Sequence, residues 1–270
     1  MTIKLAAIDL DDTLLDSRHR ISPACIKAIQ RVNQQGVYVI LATGRMYRAA
    51  IPYAHQLGLD MPLITYQGAL VKSAYSEDVL YERTLGLDVA LKITDLLESH
   101  RVDYHIYSND QLYTRKLVPI LEKHMQVTGI KPILIKDIPC LLRKSLPLEI
   151  MAVFEEKSRR RDMEQMIKKL YGEQLHLTRF KYDSLEIMDR CATKALALEA
   201  VAAHLNIHQH EVLAIGDSYN DLPMIRWAGT GVAVGNAHPL VKEAADFITG
   251  SNEEDGVLQA LEKFIGSRLV

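Results

Sequence analysis

The 270-residue sequence has no apolar run approaching the ~18 residues of a membrane-spanning helix, no excess of either charge, and only three cysteines. The first absence excludes a membrane-embedded ATPase. The second is a balance of 32 Lys plus Arg against 34 Asp plus Glu, a net charge of −2, and it argues against electrostatic capture of nucleic acid. The three thiols, Cys25, Cys140 and Cys191, are dispersed and odd in number. They fit neither a disulfide framework nor a zinc site, so a reducing, cytoplasmic setting is expected. Acid at Asp9 interrupts the N-terminal apolar run too early for a secretory leader. No internal repeat or low-complexity tract appears. What is present is ordinary for a globular chain, 48% apolar and 24% charged, which excludes global disorder. The length suits one large domain or two modest ones.

The first third alternates strand and helix. Apolar runs at Ile3–Ile8, Val37–Ala42 and Leu63–Tyr66 predict buried strands. Between them, Ser22 and Pro23 open a helix that Gly36 closes, and Tyr47–Leu57 forms a second one ended by Gly58. The last third repeats the pattern, with helices over Ala192–Leu205, Leu222–Ala228, Pro239–Ala245 and Gly256–Ile265. Its strands are expected at Val212–Ile215, Val232–Val234 and Phe247-Ile248. Such alternation implies a parallel sheet covered on both faces. The middle differs. Ala69–Lys72 and Val79–Arg83 flank a turn at Tyr75–Asp78 and predict a hairpin. Helices follow at Asp88–Ser99, Lys116–Val127 and Ser158–Tyr171, and the clearest strands are Tyr104–Tyr107, Leu148–Phe154 and Leu175–Lys181. This is a second α/β unit inserted into the first.

Three of the predicted strands end in polar residues. The first ends Asp9-Leu10-Asp11-Asp12-Thr13, the second Thr43-Gly44-Arg45, and a later one Gly216-Asp217-Ser218-Tyr219-Asn220-Asp221. Open parallel sheets bind ligands beyond the carboxyl ends of their strands, so these distant segments should meet at one edge. Crowded carboxylates repel, and a hard cation that favours oxygen ligands, Mg²⁺, resolves the repulsion. A carboxylate beside a bound phosphate can attack phosphorus, and a second one can protonate the leaving oxygen and then activate water.

At these residues the sequence resembles the haloacid dehalogenase-like (HAD) superfamily. Asp9–Thr13 matches its DxDxT signature, Thr43-Gly44-Arg45 its second motif, Lys194 its third, and Gly216-Asp217 with Asn220-Asp221 its fourth. Order and spacing resemble the Cof-type phosphatases, whose C2-type cap lies between the second and third motifs. Gly231–Ala237 and Glu254–Val257 extend the match. The resemblance implies a doubly wound, Rossmann-like α/β core at residues 1–83 and 190–270, with a substrate-selecting α/β cap at 84–189. It implies Asp9 as nucleophile and Asp11 as general acid and base. Mg²⁺ would sit on the Asp9 carboxylate, the Asp11 carbonyl and Asp217, supported by Asp221. Thr43, the Gly44 amide and Lys194 would hold the phosphoryl oxygens, with Asn220 nearby. Four positions depart from the usual pattern: Asp12, Ser218 and Ala195 stand where Gly is common, and Gln67 where Asn is.

Other features carry blander readings. Lys157–Arg161 opens an amphipathic helix and reads as a solvated face, with Met163, Met166, Ile167 and Leu170 on the opposite side. His204 and His208 are four residues apart, but Asn206-Ile207 ends the helix between them, which removes the zinc geometry. Cys191 reads as a structural thiol. Arg45 and Glu186 are candidate substrate contacts, and Tyr182, Asp183 and Leu185 lie where the cap returns to the core. The expected activity is Mg²⁺-dependent hydrolysis of a small-molecule phosphomonoester, such as a sugar phosphate, FMN or pyridoxal phosphate, through a phospho-aspartate. The expected partners include neither nucleic acid nor membrane. No interface signature stands out, and a monomer is consistent with the sequence. The alternatives are a phosphomutase using the same intermediate and a non-catalytic phospho-ligand binder.

Overall fold

Strand β1 (Leu5–Ile8) is buried along its whole length, and a strand apolar on both faces must be covered on both. It lies inside a five-stranded sheet with β2 (Tyr38–Leu41), β12 (Val212–Gly216), β13 (Thr230–Ala233) and β14 (Phe247–Ile248), ordered β14-β13-β12-β1-β2. Every pairing in it is parallel. In this computed structural model the residues described are 2–76, 78–119, 121, 122, 125, 129–179 and 184–266. The chain divides into two compact units, Met1–Tyr81 with Thr193–Val270, and Glu82–Ala192.

The first unit is the doubly wound α/β core. Its connecting helices include α1 (Pro23–Gln34) and α2 (Tyr47–Leu57), and then α6 (Lys194–His204), α7 (Leu222–Trp227), α8 (Pro239–Ala244) and α9 (Gly256–Ile265). Helix α1 starts as its sequence dictates: the Ser22 hydroxyl accepts from the Cys25 amide at 3.1 Å, with Pro23 next. Helix α2 stops at Gly58, whose φ of +67° is one that L side chains rarely adopt. Helix α6 begins at Lys194, two residues later than expected, because Thr193 is the N-cap and accepts from Leu196 N. Ala197, Leu198 and Val201 of α6 pack with Leu5, Ala7, Ile40 and Ala214 of the sheet.

The third predicted strand is shorter and differently paired. It is β3 (Leu63–Thr65), which meets the parallel sheet through an isolated Ala42–Ile64 bridge and pairs antiparallel with β4 (Leu70–Lys72). With β5 (Val79–Glu82) these make a separate three-stranded sheet. Tyr66 and Gln67 break the extended run because both have positive φ.

The second unit is built on six strands: β6 (Asp103–Ser108), β7 (Gln111–Thr114), β8 (Ile133–Leu134), β9 (Glu149–Val153), β10 (Leu175–Thr178) and β11 (Ser184–Asp189). Their order is β10-β11-β9-β6-β7-β8. All the pairings are antiparallel except β7 with β8. Helices α3 (Leu87–Ser99), α4 (Ile138–Lys144) and α5 (Lys157–Tyr171) pack on it through Ala90, Ile93, Leu142, Met163 and Ile167. Strands β7, β8 and β11 and helix α4 were not anticipated. In β11, Ser184 and Glu186 interrupt the apolar pattern although both are buried. Of the helix expected over Lys116–Val127, residues 120, 123, 124, 126 and 127 lie outside the described residues, as do Lys181, Tyr182 and Asp183. Leu185 packs in the core of this unit.

The basic start of α5 is not wholly solvated. Arg160 is buried and pairs with buried Glu164 at 2.9 Å, and Lys168 and Arg179 also bind Glu164. A charge run on a helix places one residue in three or four toward the core, and here that residue has a carboxylate waiting. Leu170, expected on the apolar side, is 53% exposed. The His204 reading agrees with the structure, since α6 ends at that residue.

Candidate functional site

The polar ends of β1 and β12 meet because those strands are neighbours, with Ile8 in register with Ile215. Asp9 follows β1 directly, is 4% exposed, and its amide donates to Ile215 O at 3.0 Å. Asp217 follows β12. Asp221 sits at the start of α7, where one side-chain oxygen accepts from the amides of Asp217 and Ser218 at 3.1 and 3.0 Å. Gly216 makes room for it: a Cβ there would lie 2.5 Å from the Asp221 side chain. One carboxylate oxygen each from Asp9, Asp217 and Asp221 lies within 4.8 Å of the others.

Lys194, the first residue of α6, reaches into this cluster with no exposed surface. Its ammonium donates to Asp9 Oδ1 and Asp221 Oδ1, both at 2.6 Å. Thr13 Oγ1 donates to Asp217 Oδ1 at 3.0 Å. The charges do not balance, with three carboxylates on one ammonium. Burial pushes the Asp9 carboxyl well above its ordinary range, Asp221 adds to that, and Lys194 offsets only part. Asp217 is pushed up to about 7, first by burial and then by Asp221. Lys194 goes the other way: burial works against its charge, but the two aspartates override it and raise its pKa. The site is short of positive charge.

Asp11 stands apart from this cluster. Its two carboxylate oxygens accept from Arg45 Nε at 2.8 Å and Nη2 at 2.6 Å, a bidentate clamp. Arg45 is braced by Tyr53, whose hydroxyl accepts from Nη1 at 3.1 Å and whose ring lies under the guanidinium. His19 Nδ1 is 3.8 Å from Asp11 Oδ1. The loop carrying Asp11 turns through Asp12 at φ +58°, a left-handed conformation that Gly adopts freely and Asp tolerates better than most side chains. Asn236 Nδ2 donates to Asp12 O at 2.7 Å and holds that turn.

Thr43 is fully buried after β2, and its hydroxyl accepts from the Arg45 amide at 3.1 Å. Gly44 is packed so tightly that an added Cβ would lie 2.2 Å from Gln67 Nε2. Gln67 Oε1 accepts from Asn220 Nδ2 at 2.8 Å, which ties the turn at Gln67 to the fourth motif. Gln67 has φ +57°, a geometry that Asn accommodates well. Gly68 completes the turn, since a Cβ there would lie 2.2 Å from Thr193 O. Glu186 belongs to the other unit, in β11. No sequence motif points to Tyr53 or His19. Thr13 was visible only as a letter of the first motif, and its bond to Asp217 required the fold.

The profile of the haloacid dehalogenase-like hydrolases matches residues 6–261. The chain YxeH of Bacillus subtilis is 33% identical over 267 residues, covering 97% of this chain and 98% of its own. A 5-amino-6-(5-phospho-D-ribitylamino)uracil phosphatase of the same organism is 30% identical over 263 residues, covering 97% and 96%. Among solved structures, a haloacid dehalogenase-like hydrolase from Bacteroides thetaiotaomicron superposes with a TM-score of 0.88 at 28% identity, over 97% of this chain and 99% of that one. With a match that runs almost from end to end, the chain belongs to the haloacid dehalogenase-like hydrolases and is an enzyme of their phosphatase branch.

Proposed function

We propose that the protein hydrolyses a small phosphomonoester at the cluster of Asp9, Asp217, Asp221 and Lys194, with Mg²⁺ as cofactor. The observation that carries this reading is the mismatch of three clustered carboxylates with a single buried ammonium. The donor set fits Mg²⁺, being all oxygen and short of positive charge. Asp9, Asp217 and the Asp11 carbonyl would hold the ion, with Asp221 in support. Once bound, Mg²⁺ neutralises charge on the phosphoryl oxygens and on the nucleophile.

The chain's own groups divide the remaining work. An Asp9 carboxylate oxygen attacks phosphorus, and the ester P–O bond breaks as the Asp9–phosphorus bond forms. Asp11 delivers a proton to the departing oxygen. Asp11 then takes a proton from water as its oxygen attacks the phosphoryl group, which releases orthophosphate and restores Asp9. Lys194, Thr43 and the Gly44 amide hold the transferring oxygens, where positioning and charge matter more than covalent help. Arg45 holds both Asp11 oxygens, so Asp11 must free one of them to carry a proton. In this reading unit 82–192 selects the substrate, and Arg45 and Glu186 remain candidate contacts. The ribitylaminouracil phosphate relative supports a phosphorylated metabolite as substrate, and near-neutral charge supports a small molecule over nucleic acid.

The test is phosphate release from a panel of sugar phosphates, nucleotides, FMN and pyridoxal phosphate, with Mg²⁺, with EDTA, and with Asp9→Asn. Turnover that requires both the cation and Asp9 is expected. Isomerised sugar phosphate without free phosphate would replace hydrolysis by a mutase reaction. Activity that survives EDTA and Asp9→Asn would sink the reading.

A further inference from the structure

Four side chains of the first unit meet beside the loop after β1: Asp11, His19, Arg45 and Tyr53. Tyr53 lies on α2, eight residues after Arg45. Helical side chains lean toward the N-terminus of their helix, which carries the Tyr53 hydroxyl back to Arg45. An arginine side chain is long and has much rotamer freedom to lose. Here its guanidinium is fixed from two sides. Nε and Nη2 donate to the two oxygens of Asp11 at 2.8 and 2.6 Å. Nη1 donates to the Tyr53 hydroxyl at 3.1 Å, and the guanidinium carbon lies 5.0 Å from the centre of the Tyr53 ring. His19 Nδ1 is a weaker neighbour, 3.5 Å from Nη2. The Arg45 side chain is 15% exposed and that of Asp11 is 33% exposed, so the carboxylate is the more accessible partner.

We propose that Tyr53 is a positioning residue for the general acid and base: it fixes the Arg45 guanidinium, so that Asp11 releases one oxygen to handle a proton while the other stays held. The inference rests on the hydrolysis reading above and adds a residue to it. Asp11 has two tasks there, protonating the departing oxygen and then taking a proton from water. Each needs one carboxylate oxygen free and its direction set. A guanidinium held by Asp11 alone follows the carboxylate when it moves. One held by Tyr53 as well stays in place, and Asp11 turns about the bond that remains. Misplacing a catalytic group by about 1 Å costs about a hundredfold in rate. Tyr53 acts through Arg45, so its loss weakens the steps that Asp11 performs and spares the attack by Asp9.

Tyr53→Phe removes the hydroxyl and keeps the ring, and Tyr53→Leu removes both. The probes are p-nitrophenyl phosphate, whose leaving anion needs no proton, and the sugar phosphate of the panel turned over fastest, whose alkoxide does. For p-nitrophenyl phosphate, kcat/KM reads the first half of the reaction and should stay within about twofold of wild type in both variants. Its kcat should fall, because water still has to be activated by Asp11, and rapid mixing should show a burst approaching one p-nitrophenolate per enzyme. For the sugar phosphate, kcat/KM should fall by about tenfold or more in Tyr53→Leu and by about threefold in Tyr53→Phe. A general structural defect would lower kcat/KM for both esters by the same factor and give no burst. That result overturns the proposal, and so do rates at or above wild type. Wild-type phosphate release that is lost in Asp9→Asn is read beforehand. If no ester is turned over in that way, the hydrolysis reading fails and the role of Tyr53 with it. If turnover is present and both esters lose equally, the role of Tyr53 fails alone.

Discussion

The molecule holds two buried groups of carboxyls, and they are built in different ways. Asp9, Asp217 and Asp221 stand at strand ends and a helix start, and each is anchored: Asp9 by Lys194, Asp217 by Thr13, Asp221 by Lys194 and two amides. Glu149 and Glu186 stand inside strands, and an oxygen of Glu149 has no partner among the described residues. The first group is held ready by the fold with a partial counter-charge. In the second, burial and the neighbouring Glu186 both disfavour the ionised form of Glu149. Catalytic carboxylates need fixed positions, and the anchors of the first group supply them.

The largest effect expected is on chemistry. Asp9→Asn keeps the volume of the nucleophile and removes its charge, and kcat should fall by about 10⁴-fold or more. Single-turnover assays check this. A loss below tenfold would mean that the anchored cluster is not the reacting one, and the contrast between the two groups would collapse.

Next is the counter-charge. Lys194→Met strands Asp9 and Asp221 in a buried site, and breaking such a pair costs about 3–5 kcal/mol. Urea unfolding in EDTA should show that loss of stability. An unchanged midpoint would show that Lys194 does not hold the cluster together.

The third prediction concerns pH. The Asp217 carboxyl is raised to about 7 from an ordinary value of 3.8, and Asp9 moves the same way. The folded state therefore binds more protons than the unfolded state between those values. Stability from this source is full below about pH 4 and is lost as pH rises through about 7. Scanning calorimetry in EDTA should show Tm falling by roughly 5 °C or more between pH 5 and 8. Mg²⁺ should flatten the fall by supplying the missing positive charge. A slope of the opposite sign would contradict the electrostatics derived for the site.

The smallest effect sharpens the contrast from the other side. Glu149→Leu should raise stability by about 1–2 kcal/mol at pH 8 and by less at pH 5. The sign follows from the raised carboxyl of Glu149, whose ionised form is penalised at high pH. Denaturant melts at the two pH values check it. If stability falls equally at both, Glu149 is a packing residue with an ordinary partner.

Much of the core was legible because its signals are local. Ser22-Pro23 and Gly58 mark helix ends by backbone chemistry that needs no tertiary context. Asp9, Thr43, Lys194 and Asp217 lie at predicted strand or helix ends, where an open parallel sheet exposes them. The second unit was less legible. Strand β11 hides behind Ser184 and Glu186, polar residues that are nonetheless buried, so alternation pointed away from it. Arg160 was read as solvated because its partner Glu164 is a charge like any other until the helix is docked.

The sequence by itself determined the parallel α/β core, the interrupting α/β unit, and which residues stand at the carboxyl ends of the strands. Hydrophobic period, caps and glycine positions are short-range properties, and they survive in one dimension. Only the tertiary structure decided that Asp11 is clamped by Arg45 and Tyr53, that Thr13 bonds Asp217, that Gln67 bridges to Asn220, and that Glu149 lies beside Glu186. Each of these depends on strand register or on the meeting of distant loops. Those are set by the packing of the whole chain, and no local pattern encodes them.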